Sequence, residues 1–319
     1  MPKRLKGRAA VITGAGRGIG RAIAVCLAAE GALVVVNDYG VTIGGADPSG
    51  GPADDVVAEI RAKGGTAVAN YGDVSNYESA GKIIDTCVQA FGKIDILGNV
   101  AGIARRAATW EVSEEDFWAV VKVHMYGSFN CSRHAAPHMM KQRYGRIVTM
   151  SSRGGLLGNF GHPSYGAGKG GMFGLMNCLS RELGPYGITC NTMVPGLTET
   201  RQSAKRAAQR AEAFTTMAPE MKRRFALGVL QPEDVAPVFA YLCSEDAGYI
   251  NGQLVIAYGP VVSLFGPLTI TRTIQKEGHW TLDDLCQTAP GTLGENLVNP
   301  SPRGMSLEGA LMPGQKVSA

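Results

Sequence analysis

The chain has 319 residues, of which 45% are hydrophobic and 18% charged, a balance that excludes disorder and coiled coil. The 31 Lys and Arg against 27 Asp and Glu give +4, too mild a charge to point to nucleic acid. Glycine stands out at 43 residues with no Gly-X-Y period, so it must serve tight turns, close helix packing and close approach to a ligand.

Seven scattered cysteines without a C-x-x-C pair fit buried thiols in a reducing compartment. No apolar run approaches the ~18 residues of a membrane span, and the opening residues do not make a signal peptide. The expectation is a cytoplasmic protein without membrane contact.

In chain order, strands are expected over Ala9–Ile12, Ala32–Val36, Thr66–Asn70, Ile94–Val100, Arg146–Met150, Thr189–Val194 and Leu254–Ala257. Helices are expected over Arg21–Glu30, Ala53–Lys63, Asn76–Phe91, Glu114–Arg143, Tyr165–Tyr186 and Pro232–Cys243. Ser75 with Glu78, and Ser113 with Asp116, read as helix caps, and Pro232 suits a first helical position. Short strands, apolar on both faces and separated by helices, predict a parallel sheet covered on both sides. The fold class is α/β: a Rossmann-type, doubly wound, seven-stranded parallel sheet. Residues 1–260 form the main domain, with a long excursion over 197–228. Residues 261–319 are expected to be a partly irregular extension, mostly extended or poorly ordered from Ala289 to the end.

The segment Thr13-Gly14-Ala15-Gly16-Arg17-Gly18-Ile19-Gly20 follows the first strand and opens a helix. Glycines there let a pyrophosphate approach backbone N–H groups at a helix start. The spacing is neither G-x-G-x-x-G nor a P-loop, and a bare strand–helix turn is the bland alternative. Asp38 ends the second strand, where an acid can bond the adenosine ribose hydroxyls. A 2′-phosphate would face this carboxylate at a cost of ~4 kcal/mol, for ~4 Å separation and an effective dielectric of ~20. That favours NAD over NADP, although Arg17 offsets part of the repulsion.

Tyr165 and Lys169 lie four residues apart, on one helix face, and Ser152 stands thirteen residues before the tyrosine. A phenol titrates near ~10, and a neighbouring ammonium favours its phenolate. Tyr165 can then exchange a proton with a substrate hydroxyl or carbonyl oxygen while Ser152 bonds the same oxygen. No spacing of His, Cys and Asp suggests a metal site.

Taken together and in this order, TGAGRGIG, Asp38, Gly72-Asp73-Val74, Asn99-Val100-Ala101-Gly102, Ser152, Tyr165-x-x-x-Lys169 and Pro195-Gly196-Leu197-Thr198-Glu199-Thr200 carry a resemblance. Over residues 1 to about 258 the sequence resembles a short-chain dehydrogenase/reductase. The resemblance implies an NAD(P)-dependent oxidoreductase of secondary alcohols and ketones. It implies that Gly14, Arg17, Gly18, Ile19 and Gly20 border the pyrophosphate, and that Asp73 and Val74 contact adenine. Asn99, Ala101 and Gly102 would border the cofactor ribose, Lys169 would bond the nicotinamide ribose, and Pro195, Gly196, Thr198 and Thr200 would lie at the nicotinamide end. A homodimer or homotetramer is implied as well, with the glycine-rich helix after Tyr165 at the dimer interface. A more flexible site is the rival reading of those glycines.

Two departures stand out. Val100 replaces the usual second Asn of Asn-Asn-Ala-Gly, and His124 takes the place of the family's catalytic Asn in Val123-His124-Met125-Tyr126-Gly127. His124 is read as a substitute in the proton relay, against a merely structural histidine. This histidine, Gly127-Ser128-Phe129, Gly158-Asn159-Phe160-Gly161 and the glycine-rich loop after Asp38 are similar to a narrower group. These are (3R)-hydroxyacyl-CoA dehydrogenase domains of peroxisomal-type multifunctional enzymes (17-beta-hydroxysteroid dehydrogenase type 4-like) and relatives acting on hydroxysteroids.

Seven basic residues (Arg201, Lys205, Arg206, Arg210, Lys222, Arg223 and Arg224) face Glu199, Glu212 and Glu220 in the excursion. They either attract CoA phosphates or form a solvated helix face. Another hydrophobic alcohol, such as a terpene or aryl carbinol, stays open as substrate. A non-catalytic NAD-sensing protein is the alternative outside enzymes, though such a protein tends to lose the Tyr or Lys kept here.

Overall fold

The computed structural model describes residues 3–196, 230–266 and 269–296. The chain divides into two compact units, Met1–Phe265 and Gly266–Ala319. In the first, strands β1 (Ala9–Thr13), β2 (Leu33–Asn37), β3 (Thr66–Asn70), β4 (Ile96–Asn99), β5 (Gly145–Met150), β6 (Ile188–Pro195), β7 (Leu254–Tyr258) and β8 (Val261–Leu264) form one sheet. Their order is β3-β2-β1-β4-β5-β6-β7-β8. All neighbours are parallel except β7 with β8. The order turns back between β1 and β4, which leaves a crevice at the carboxyl ends of the strands.

The sheet therefore has one strand more than the seven expected, and residues 261–264 belong to it and not to an irregular extension. A turn at Gly259, φ +58°, folds the chain back along β7. All four residues of β8 are exposed, so they lack the buried apolar signature by which the other strands are read.

Helices α1 (Gly18–Ala29), α2 (Gly51–Ala62), α3 (Tyr77–Phe91), α4 (Glu114–Val121) and α5 (Gly127–Gln142) follow the early strands. After β5 come the short α6 (Arg153–Leu157) and α7 (Pro163–Leu183), and before β7 comes α8 (Ala236–Cys243). Two apolar clusters, one on each face of the sheet, are built from alternate residues of the same strands. Ala10, Ile12, Val34 and Val36 point to one, Ala9, Val11 and Val35 to the other. Burial of both strand faces is why these runs are continuously apolar.

Three local readings change. The expected helix over 114–143 is broken by a π-helical turn at Lys122–Tyr126, hidden because helical spacing holds on either side of it. The cap of α3 is Asn76, whose Oδ1 accepts from Ser79 N–H at 2.9 Å. Ser75 instead gives its hydroxyl to the Asp73 carboxylate at 2.8 Å. Pro232 opens a 3-10 turn, Pro232–Asp234, ahead of α8. Ser113 caps α4 as expected, accepting from Asp116 N–H at 3.1 Å. In the second unit Leu282–Thr288 is helical (α9), capped by Thr281. Among the described residues, no helix is long and apolar enough to cross a membrane.

Candidate active site

A cleft of about 380 Å³ lies at the carboxyl ends of the central strands, within the ~300–1,000 Å³ range of small-molecule sites. One wall is the glycine turn. Gly18 there has φ +53°, and a Cβ on Gly20 would lie 2.1 Å from the Gly14 carbonyl oxygen. Only glycine allows this helix to start so close to its strand. Thr13 ties the turn to β4: its Oγ1 donates to Gly98 O at 3.2 Å and accepts from Val100 N–H at 3.1 Å. That role of Thr13 was not legible beforehand, since a threonine ending a strand carries no signal of its own.

The start of α1 differs from those of α3 and α4. Its N-cap, Arg17, makes no side-chain cap bond, and its first turn carries no acid. The amides at this helix start are left to an anion, which is the fit a dinucleotide pyrophosphate requires. Next to it, Asp38 takes Gly16 N–H on Oδ2 at 2.8 Å and Gly40 N–H on Oδ1 at 2.7 Å. Asp38, Asp73, Val74, Ala101, Gly102 and Pro195 all line the cleft.

The opposite end holds Tyr165 and Lys169, adjacent on α7 with the ammonium nitrogen 5.8 Å from the phenol ring centre. Both border the same cleft as the glycine turn. Lys169 is 4% exposed and donates from Nζ to Met150 O at 2.5 Å. Burial lowers its pKa to about 7. An amine half-protonated near neutrality is a different object from the standing ammonium that the sequence suggests.

His124 sits in the π turn, 1% exposed, its ring edge-on to Tyr165 at 5.2 Å between centres. Its Nε2 lies 2.8 Å from Ile103 O. A carbonyl only accepts, so Nε2 carries the proton and Nδ1 presents a lone pair. That Nδ1 is buried and without a partner. Burial, and then Lys169, push the imidazole pKa well below its usual value, so the ring is neutral. Glycines admit it on both sides: a Cβ on Gly102 would fall 2.3 Å from its Cε1 and one on Gly168 3.1 Å from its Cβ. His162 reaches Tyr165 from another direction, ring centres 5.8 Å apart. Its place three residues before the tyrosine was the one available signal for it.

Three other expected residues are engaged in bonds of their own. Ser152 caps α6, accepting from Gly154 N–H at 3.2 Å, and Asn99 turns into the sheet toward Ser132 Oγ at 3.2 Å and Thr149 Oγ1 at 3.3 Å. Gly196 donates to Ala257 O at 2.7 Å. None of these three is in the cleft lining. Thr198, Thr200 and the basic excursion over 197–228 lie outside the described residues. Two further glycines of α7 find a reason within the chain: a Cβ on Gly170 would stand 2.9 Å from Gly155 O in α6, and one on Gly171 2.6 Å from Met125 Sδ, while Gly174 has nothing within 4 Å.

A parallel sheet with a glycine turn at one end of its crevice and a Tyr–Lys pair at the other is the arrangement of a nucleotide-dependent oxidoreductase. A family model described as short chain dehydrogenase matches residues 8–211, and the chain belongs to that family. It is an oxidoreductase enzyme of a family that uses NAD(P).

It is 40% identical over 278 residues to the mouse peroxisomal multifunctional enzyme type 2, a match covering 87% of this chain and 35% of the mouse protein. The chain thus corresponds to about a third of that relative. It is 34% identical to the hydroxyacyl-CoA dehydrogenase ChsB1 of Mycobacterium tuberculosis, covering 89% of this chain and 88% of that one. A crystal structure of a short chain dehydrogenase from Mycobacterium avium superposes with a TM-score of 0.77 at 36% identity, covering 91% of this chain and 96% of the other.

Proposed function

We propose that the protein is an NAD-dependent dehydrogenase that interconverts a secondary alcohol and a ketone, with a hydroxyacyl-CoA or hydroxysteroid-like substrate. The observation that carries this reading is one cleft bordered by Tyr165 and Lys169 as well as by the glycine turn and Asp38. The name of the mycobacterial relative, a hydroxyacyl-CoA dehydrogenase, supports the acyl-CoA substrate class.

In this reading Gly14, Arg17, Gly18, Ile19 and Gly20 hold the pyrophosphate and Asp38 the adenosine ribose. Asp73 and Val74 border adenine, while Ala101, Gly102, Pro195 and Lys169 border the nicotinamide half. When bound, the nicotinamide ring supplies the hydride acceptor or donor. Tyr165 takes the proton from the substrate hydroxyl during oxidation and returns it during reduction. Ser152 bonds the same oxygen after turning from its cap bond with Gly154. Lys169, with a pKa near 7, accepts and releases protons over the pH range in which Tyr165 works. His124, edge-on to Tyr165, offers its Nδ1 lone pair as a further proton acceptor beside Gly102. Asp38 disfavours a 2′-phosphate, and with Arg17 offsetting part of the repulsion NAD should be preferred over NADP by less than the roughly thousandfold of the unopposed carboxylate.

The test is the Tyr165→Phe enzyme assayed with hydroxyacyl-CoA and NAD. Its kcat should fall by about 10²–10⁴, the worth of one positioned acid or base. Near-wild-type turnover would remove Tyr165 from the chemistry. Comparing hydroxyacyl-CoA with the free alcohol, at low and high salt, tests the substrate class. Salt should raise the KM of the thioester alone if the cations of 197–228 meet CoA phosphates.

A further inference from the structure

The segment between β2 and α2 is a closed loop and not a plain connection. Its ends meet where Gly40, φ +76°, lies so near Ser49 that a Cβ would stand 1.6 Å from the Ser49 carbonyl oxygen. The tip is a turn of its own, with Thr42 N–H donating to Ala46 O at 2.8 Å and Gly45 N–H to Thr42 O at 3.0 Å. None of residues 41–50 is buried, so the loop is not held by packing into the core. Its attachments are polar and few. At the base, the Asp38 carboxylate joins Gly40 to Gly16 of the glycine turn. At the tip, the loop crosses to the far wall of the cleft: Ala104 N–H donates to Ile43 O at 3.0 Å and Arg105 Nε to Gly44 O at 2.8 Å.

Arg105 is itself fixed, with Nη1 2.7 Å from Asp116 Oδ1 at the start of α4. Thr42 and Ile43 of the loop border the cleft together with Ile103 and Arg105 of the wall. We propose that residues 40–50 are a flap latched across the cofactor cleft, and that Arg105 is the positioning residue that holds it shut and so sets how fast the dinucleotide leaves. The inference rests on the reading of the cleft as a dinucleotide site.

The geometry separates the flap from the chemistry. The wall segment is anchored on its other side by His124 Nε2 at Ile103 O. Removing the Arg105 side chain therefore leaves the loop tip on the single backbone bond from Ala104 N–H to Ile43 O, with the wall in place. The base stays pinned at Asp38, so the tip swings on that pin. A segment with exposed residues and few bonds belongs to the low-stability end of a fold, from which moving lids are drawn.

The experiment is stopped-flow displacement of reduced dinucleotide from wild type, Arg105→Ala and Arg105→Lys, followed by its fluorescence. Arg105→Ala should release it roughly tenfold to a hundredfold faster, the worth of one charge-assisted hydrogen bond. The dinucleotide KM should rise while single-turnover hydride transfer at saturating dinucleotide stays within about twofold. Lysine keeps the charge without the fork, so Arg105→Lys should fall between the two. Without ligand, the amides of Thr42, Gly45, Ala46 and Ala104 should exchange with deuterium faster in Arg105→Ala. Should that variant not fold, Asp116→Asn loosens the same guanidinium and should shift release and exchange in the same direction.

Tight dinucleotide binding with unchanged release and unchanged amide exchange would overturn the latch alone. A wild-type protein that binds no dinucleotide would overturn the reading of the cleft, and the latch with it. A single-turnover rate that falls as steeply as release rises would make Arg105 part of the chemistry and sink its role as a latch.

Discussion

At the amino ends of β1, β4 and β5, Asp95 buries a carboxylate that accepts Ala9 N–H at 2.9 Å, Arg8 Nη1 at 3.1 Å and Lys93 Nζ at 2.9 Å. Arg146, 5% exposed, gives Nε to Ser244 O at 3.1 Å and Nη1 to Gly145 O at 2.9 Å. The guanidiniums of Arg8 and Arg146 lie over the Tyr144 ring at 3.7 Å and 4.4 Å. At the carboxyl ends of the same strands, Lys169 is as deeply buried and, among the described residues, has one carbonyl, while the Nδ1 of His124 has no hydrogen-bond partner. Both ends bury ionisable groups. One surrounds its carboxylate with cations, and the other leaves an amine and an imidazole in states that burial makes easy to change. Only the second arrangement is useful for moving protons, and it costs stability. Tyr144 marks the limit of the contrast: its ring is stacked under two cations, yet its hydroxyl is buried without a partner.

The largest effect should come from Lys169. Its folded pKa of about 7 lies below the 10.5 of the free group, so the unfolded chain binds more protons between these values. Wild-type stability must therefore rise with pH across that window. Replacing the amine by Met removes the penalty. Lys169→Met should be more stable than wild type by about 4 kcal/mol at pH 7, with the gain shrinking to nothing near pH 10.5. Turnover should be lost at the same time. Urea melts at pH 7 and pH 9.5 check the sign, and a variant that is less stable at both would mean the buried amine is paired after all.

Asp95 should behave in the opposite sense. Asp95→Ala takes a carboxylate from Arg8 and Lys93, leaves the buried amide of Ala9 without its acceptor and should cost about 3 kcal/mol, with kcat/KM unchanged once the protein is folded. Denaturant midpoints alongside steady-state rates measure both. A loss of activity larger than the loss of folded protein would mean that the two ends of the sheet are coupled.

What the sequence made legible follows the range of the interactions involved. The glycine turn, the Tyr165–Lys169 spacing and the alternation of strand and helix are local patterns, and they stand where the residues predict. The underpairing of Lys169 and His124 was not legible, because it depends on which carbonyls and glycines the fold brings around them. Gly102 and Gly168, 66 residues apart, both make room for one imidazole. The Arg105 latch joins loops after two different strands, and nothing in Ile103-Ala104-Arg105 distinguishes a latch from a surface turn. The π turn hides for another reason: one extra residue in a helical turn leaves the apolar spacing on either side intact.

His124 sharpens the contrast with the smallest effect. Its folded pKa lies well below 6.5, with burial the main cause. Below pH 6.5 the unfolded chain therefore takes up a proton that the folded chain refuses, and stability is lost as pH falls through that value. At about 1.36 kcal/mol per pH unit for one proton, the loss between pH 7.5 and 5.5 is about 1.4 kcal/mol. Asparagine carries an acceptor and a donor but does not titrate, so His124→Asn should flatten this part of the stability profile. If the relay needs only the acceptor lone pair, the variant should keep kcat within about tenfold and lose no activity toward acid beyond what Tyr165 and Lys169 impose. If the imidazole itself carries the proton, kcat should fall further and the acid limb of the pH profile should move. Thermal melts at the two pH values, with kcat profiles on the same samples, separate an accepting His124 from one that shuttles.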